Sequence, residues 1–104
     1  MTTPEEANES LRNKLNSETA RMRWKDLLVY FAGGSVIAVN AELDLVDVAL
    51  HVTQDDKTAV ANWMAQEKLG QVSDQQAAAW LESDAVLWTI VVRPWILVQP
   101  QKAG

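Results

Sequence analysis

The chain has no cysteine in 104 residues, which removes disulfides, thiolate metal ligands and a cysteine nucleophile together. It has one histidine, so imidazole chemistry would rest on His51 alone. Positive charge is scarce, with 9 Lys and Arg against 14 Asp and Glu. The net charge of -5 opposes sequence-independent nucleic-acid binding, which works by neutralising phosphates, and equally opposes an anionic membrane surface. No apolar run is long enough for a membrane helix, and the longest is broken by Arg93 and Pro94. Residues 1–16 are polar and acidic and lack the apolar core of a secretory signal. A cytoplasmic location is expected, with neither membrane nor nucleic acid as partner. No motif calls for a cofactor.

What is present is enough for one core but not two, so residues 1–104 are expected to form a single domain with residues 100–104 as a frayed polar tail. The densest apolar stretch, residues 87–98, is rich in β-branched and aromatic side chains and reads as one long strand. Alternation puts Trp88, Ile90, Val92, Pro94, Ile96 and Val98 on one face and Leu87, Thr89, Val91, Arg93, Trp95 and Leu97 on the other. Both faces need cover. Pro94 implies a bulge or break and an edge position. A second short strand, residues 35–39, is apolar on both faces and reads as internal.

Helix signals fill the rest. Thr3-Pro4-Glu5-Glu6 is a capping box with Pro at the first helical position, followed by Ala7, Leu11, Leu15 and Met22 at helical spacing, with Asn16-Ser17 as a break or second cap. Residues 24–32 offer Trp24, Leu27, Leu28 and Phe31 on one side, and Gly33-Gly34 ends that helix. A third helix spans about residues 42–53. A fourth, capped by Asp55 or Asp56, runs to about Lys68 with Val60, Trp63 and Met64 inward. Gln71-Val72 suits a brief strand. Ser73-Asp74-Gln75-Gln76 is another capping box, opening a fifth helix with Ala77, Trp80 and Leu81. The expected class is α+β, with about five helices packed on a sheet of two or three strands. A winged helix built on the third and fourth helices is the alternative, with poor contacts for DNA.

Three features are candidates for function. Asp44, Asp47, His51 and Asp55 recur every three or four residues and project from one side of the third helix. They could bind a divalent cation or place a base beside the histidine. The same stripe is also what the solvent side of an amphipathic helix looks like, with Asp44 and Asp47 suiting a helix start. Arg93 and Trp95, around Pro94, are the stronger interaction candidates, since both residue types are enriched at binding hot spots; Trp24 joins them. The bland reading packs Trp95 in the core, as for Trp63, Trp80 and Trp88. Finally, Arg12, Lys14, Arg21, Arg23 and Lys25 cluster in sequence, apart from the acidic block at 42–56. Such a patch is a solvated face, or a contact for RNA or an acidic partner.

Gly33-Gly34-Ser35 leaves a helix and enters a strand, the reverse of a phosphate loop, and no serine has a nucleophile-elbow setting. Enzymatic activity is therefore disfavoured.

Two stretches carry a resemblance. Leu43-Asp44-Leu45-Val46-Asp47-Val48-Ala49, with Glu18-Thr19-Ala20 and Trp24 before it, and Val91-Val92-Arg93-Pro94-Trp95-Ile96-Leu97-Val98-Gln99 after it, resemble a family of small bacterial proteins known only as a domain of unknown function. The likeness covers about residues 11–99. It implies a bacterial, cytoplasmic protein and brings no catalytic residue, ligand or partner. The expectation is a non-enzymatic interaction or accessory protein, acting as a homodimer or with a protein partner. The alternatives are a winged-helix-like regulator, or a weak metal or enzymatic site on the Asp44-Asp47-His51 face.

Overall fold

The computed structural model describes residues 4–100, with side chains from Glu9 onward. The chain runs α1 (Pro4–Glu18), β1 (Ala20–Arg23), α2 (Trp24–Ala32), β2 (Val36–Val39), α3 (Leu45–Thr53), α4 (Lys57–Ala65), β3 (Leu69–Gln71), α5 (Asp74–Glu82), β4 (Val86–Val92) and β5 (Trp95–Pro100). The expected α+β class holds, with five helices among the described residues. The sheet is larger than expected. Its five strands are ordered β1-β4-β5-β2-β3, parallel between β2 and β5 and antiparallel elsewhere. Helices lie on both faces, so the sheet is the centre of the domain and not the wing of a winged helix. Thr3, the Glu6 and Ala7 side chains and residues 101–104, invoked for the first cap, the first stripe and the tail, lie outside the described residues.

The long strand is a hairpin. A turn at Arg93-Pro94, whose peptide bond is cis, folds β5 back on β4, from the pair Val92 and Trp95 to the pair Leu87 and Pro100. Pro94 sits in the turn, where no ladder hydrogen bond is needed. Both strands are therefore interior to the sheet, contrary to the edge expected. Alternation restarts after the turn, so Arg93 lies in the turn itself and Trp95 stands opposite Val92 in the strand pair.

The first helical stripe also stops earlier than expected. The Thr19 hydroxyl donates to the Leu15 carbonyl at 2.9 Å and its N–H to the Asn16 carbonyl at 3.3 Å, using carbonyls that the helix end leaves open. Met22 then belongs to β1, the edge strand beside β4. Other signals act where they were read. Gly34, at φ 76°, takes the left-handed position after α2. Asp56 caps α4 by accepting from the Ala59 N–H, and Ser73 with Gln76 completes the box of α5.

Register sorts the core into two layers. On the front face Val39, Ile90 and Leu97 pack with Leu15 of α1 and Val48 and Ala49 of α3. On the back Val36, Leu87, Ile96 and Val98 pack with Trp24 and Leu27 of α2 and Ala77 of α5. Ile90 and Val98 are wholly buried, and such a side chain stabilises the fold by about 1.5–3 kcal/mol through removal from water. Among the described residues no helix is long and apolar enough to cross a membrane.

Candidate functional site

The acidic helix face divides into groups that already have structural work. Asp44 precedes α3 in an extended conformation, and its carboxylate accepts from the N–H groups of Val46 and Asp47. Asp47 accepts from Arg12 of α1 at 2.8 Å. His51 Nδ1 lies 2.8 Å from the Asp47 main-chain carbonyl, an acceptor only, so that nitrogen carries the proton. The ring also stands edge-on to Trp63, centroids 5.2 Å apart. Its nitrogens are 3.8 Å from the carboxylates of Asp47 and Asp56, beyond hydrogen-bonding distance. Asp55 falls beyond the helix in a left-handed conformation, φ 56°. The structure thus does not gather Asp44, Asp47, His51 and Asp55 as a donor set. Among the described residues no three His, Asp or Glu side chains stand close enough to hold an ion.

The interaction candidates separate more sharply. Trp24 is wholly buried, against Phe31 and Trp80 at centroid distances of 5.4 and 5.1 Å; it is a core residue and offers no surface. Trp95 is 39% exposed and stands beside the Arg93-Pro94 turn. So is Trp88, a correction to its core reading, because the front-face helices do not extend over that end of β4. Met64, read as inward, is exposed, as is Leu81 of α5.

Trp95, Pro94 and Arg93 close one end of a groove of about 990 Å³ on the front face. Leu11 and Leu15 of α1 form one wall, Val52, Val60 and Met64 the other, and Ile37, Leu69 and Leu97 the floor. Its rim carries Lys14, Lys57 and Arg93 together with Glu18, Asp55 and Asp56. The volume is at the upper end for pockets that take small ligands. An apolar trough with a rim of both signs suits the apolar face of an amphipathic segment. Of these groups Lys14, Asp55, Asp56, Arg93 and Trp95 stood out in the sequence, in separate features. The others come mainly from α1, β2, α3, α4, β3 and β5, and only the sheet order brings them together.

The chain matches a family model described as protein of unknown function (DUF2288) over residues 10–100. It is similar to the NMR solution structure of PA1075 from Pseudomonas aeruginosa, with 38% identity and a TM-score of 0.79, covering 100% of this chain and 98% of that one. No curated protein matches it.

Proposed function

Because the chain belongs to the family described as protein of unknown function (DUF2288), which brings no activity with it, we propose from its surface that it is a non-enzymatic interaction or accessory protein. It acts through self-association or a protein partner held in the groove beside Trp95. A bacterial, cytoplasmic setting is part of the same proposal, and the similar PA1075 structure comes from a bacterium. The observation that carries the reading is the groove itself. It leaves Trp95 and Met64 39% and 55% exposed beside an apolar floor, an arrangement that costs free energy in water and is relieved by a covering partner.

Light scattering on a size-exclusion column, across a wide concentration range, tests the self-association branch. A wild-type dimer that Trp95→Ala breaks supports it. A monomer at every concentration removes it and leaves the partner branch. A photo-crosslinking side chain at position 64 then decides, with one at Glu82 on α5 as control. A discrete adduct formed only from position 64 supports the reading, and no adduct from it overturns the reading.

A further inference from the structure

We infer that the free edge of β1 is a docking strip for an extended acidic segment of another protein, which adds to the sheet as a sixth strand with carboxylates two residues apart over Arg21 and Arg23. This strip lies apart from the groove, and the inference does not depend on it.

The main chain supplies the first argument. Trp24 N–H donates to the Ala85 carbonyl at 2.9 Å, which fixes the hydrogen-bonding phase of the β1–β4 ladder. With Met22 opposite Leu87 and Ala20 opposite Thr89, those two residues turn their N–H and C=O groups toward β4. The N–H and C=O of Arg21 and the N–H of Arg23 therefore point away from it, along the open edge, while the Arg23 carbonyl, at the N-cap of α2, takes the first bond of that helix. β1 is the outermost strand on this side, and Ala20, Arg21 and Arg23 are exposed. Alternating donors and acceptors of this kind match another strand.

Charge supplies the second argument. Arg21 and Arg23 share the front face by alternation, with Lys25 exposed just beyond them. Ion pairs elsewhere join Arg12 to Asp47 and Lys68 to Glu42. No carboxylate among the described residues lies within ion-pair distance of Arg21, Arg23 or Lys25. Among the described residues Lys14, Lys57 and Arg93 also lack an ion pair, but they share the groove rim with Glu18, Asp55 and Asp56, whereas in a chain of net charge -5 Arg21, Arg23 and Lys25 stand together on one exposed strip. Beside them Trp88 is 39% exposed, with the Arg21 guanidinium carbon 5.6 Å from its ring centroid.

The same facts select the occupant. A second copy paired edge to edge would set arginines opposite arginines, and like charges directly opposite destabilise a strand pair. The chain's own acidic block is spent on α3, α4 and their caps, so it cannot present an extended strand. A polyphosphate chain would satisfy the guanidinium groups but leave the outward Arg21 carbonyl without a donor. An extended peptide with the pattern acidic, apolar, acidic satisfies both. Its carboxylates fall on the front face opposite Arg21 and Arg23, and its apolar residue lies on the back beside Met22.

The test uses the full chain, labelled with nitrogen-15, and a synthetic ten-residue peptide with Glu-Val-Glu at its centre. The expected result is chemical-shift change at residues 20–23 and at the Trp88 indole, with slowed exchange of the Arg21 and Arg23 amides. Arg21→Gln and Arg23→Gln should each weaken binding up to about fivefold, as exposed ion pairs do. Methylating the amide nitrogens of both peptide glutamates should weaken binding to the wild-type chain about threefold or more, because the strand hydrogen bond to the Arg21 carbonyl is lost. Three results would overturn the inference: no response at millimolar peptide, equal binding of the methylated peptide, or an oligouridylate binding the strip that the peptide does not.

Discussion

Gln99 donates its side-chain amide to the main-chain carbonyls of Leu43, at 2.6 Å, and Asn40, at 2.9 Å. Gln99 closes the C-terminal motif and Leu43 opens the other, so the two stretches that carried the family resemblance meet in space. The contact holds the loop that delivers Asp44 to the start of α3. Gln99→Ala leaves both carbonyls without this donor and should cost about 1–3 kcal/mol. Gln99→Glu should cost more, because a carboxylate has no proton to offer and repels both oxygens. Urea midpoints for the three proteins check the order. Equal stability of the Ala and Glu variants would mean that water replaces the contact.

Trp24 is wholly buried, yet its indole N–H has no hydrogen-bond partner among the described residues. A buried unpaired donor costs about 1–3 kcal/mol, which offsets part of what the ring contributes through packing. Trp24→Phe sheds the donor along with some volume, and a net loss under about 1.5 kcal/mol is expected. Trp24→Ala keeps no compensation and should lose about 3–5 kcal/mol. Calorimetric unfolding separates the two. A Phe variant as damaged as the Ala variant would show that the fit of the indole against Trp80 and Phe31 outweighs its unpaired N–H.

Local signals were legible and long-range ones were not. The span of α2 follows from Trp24, Leu27, Leu28 and Phe31 on one side and Gly33-Gly34 at its end, all within a dozen residues. The box at Ser73 and Gln76 is local in the same way. The hairpin hid because Arg93-Pro94 lacks the Asn-Gly or Asp-Gly signature of a two-residue turn, so two apolar strands read as one. β1 hid because four residues, two of them arginine, show no apolar alternation. The exposure of Trp88 and Trp95 depends on which part of the sheet each helix covers. Periodicity carries no information on that.

Asp44 offers a direct separation of capping from metal binding. Its carboxylate accepts two N–H groups at the start of α3, so Asp44→Ala should cost about 1 kcal/mol. Asp44→Asn should cost far less, since asparagine caps about as well as aspartate. Chemical denaturation with and without millimolar manganese or zinc checks both points. A metal-dependent stability gain in wild type that is lost in the Asn variant would make Asp44 a ligand after all.

Arg12 and Asp47 join α1 to α3 at 2.8 Å, with the two side chains 42% and 37% exposed. Leu15, on the same helix, is 4% exposed within the front-face cluster. Both hold α1, the wall of the groove, but their magnitudes differ. An exposed ion pair contributes about 0.2–1 kcal/mol and weakens with salt, whereas Leu to Ala in a core costs about 2–5 kcal/mol. Burial therefore decides how α1 docks. A double-mutant cycle on Arg12→Ala and Asp47→Ala should return a coupling below about 1 kcal/mol, reduced at 1 M sodium chloride. Leu15→Ala should lose several times more, independently of salt. A coupling larger than the Leu15 loss would reverse this order and make the ion pair the main attachment of the groove wall.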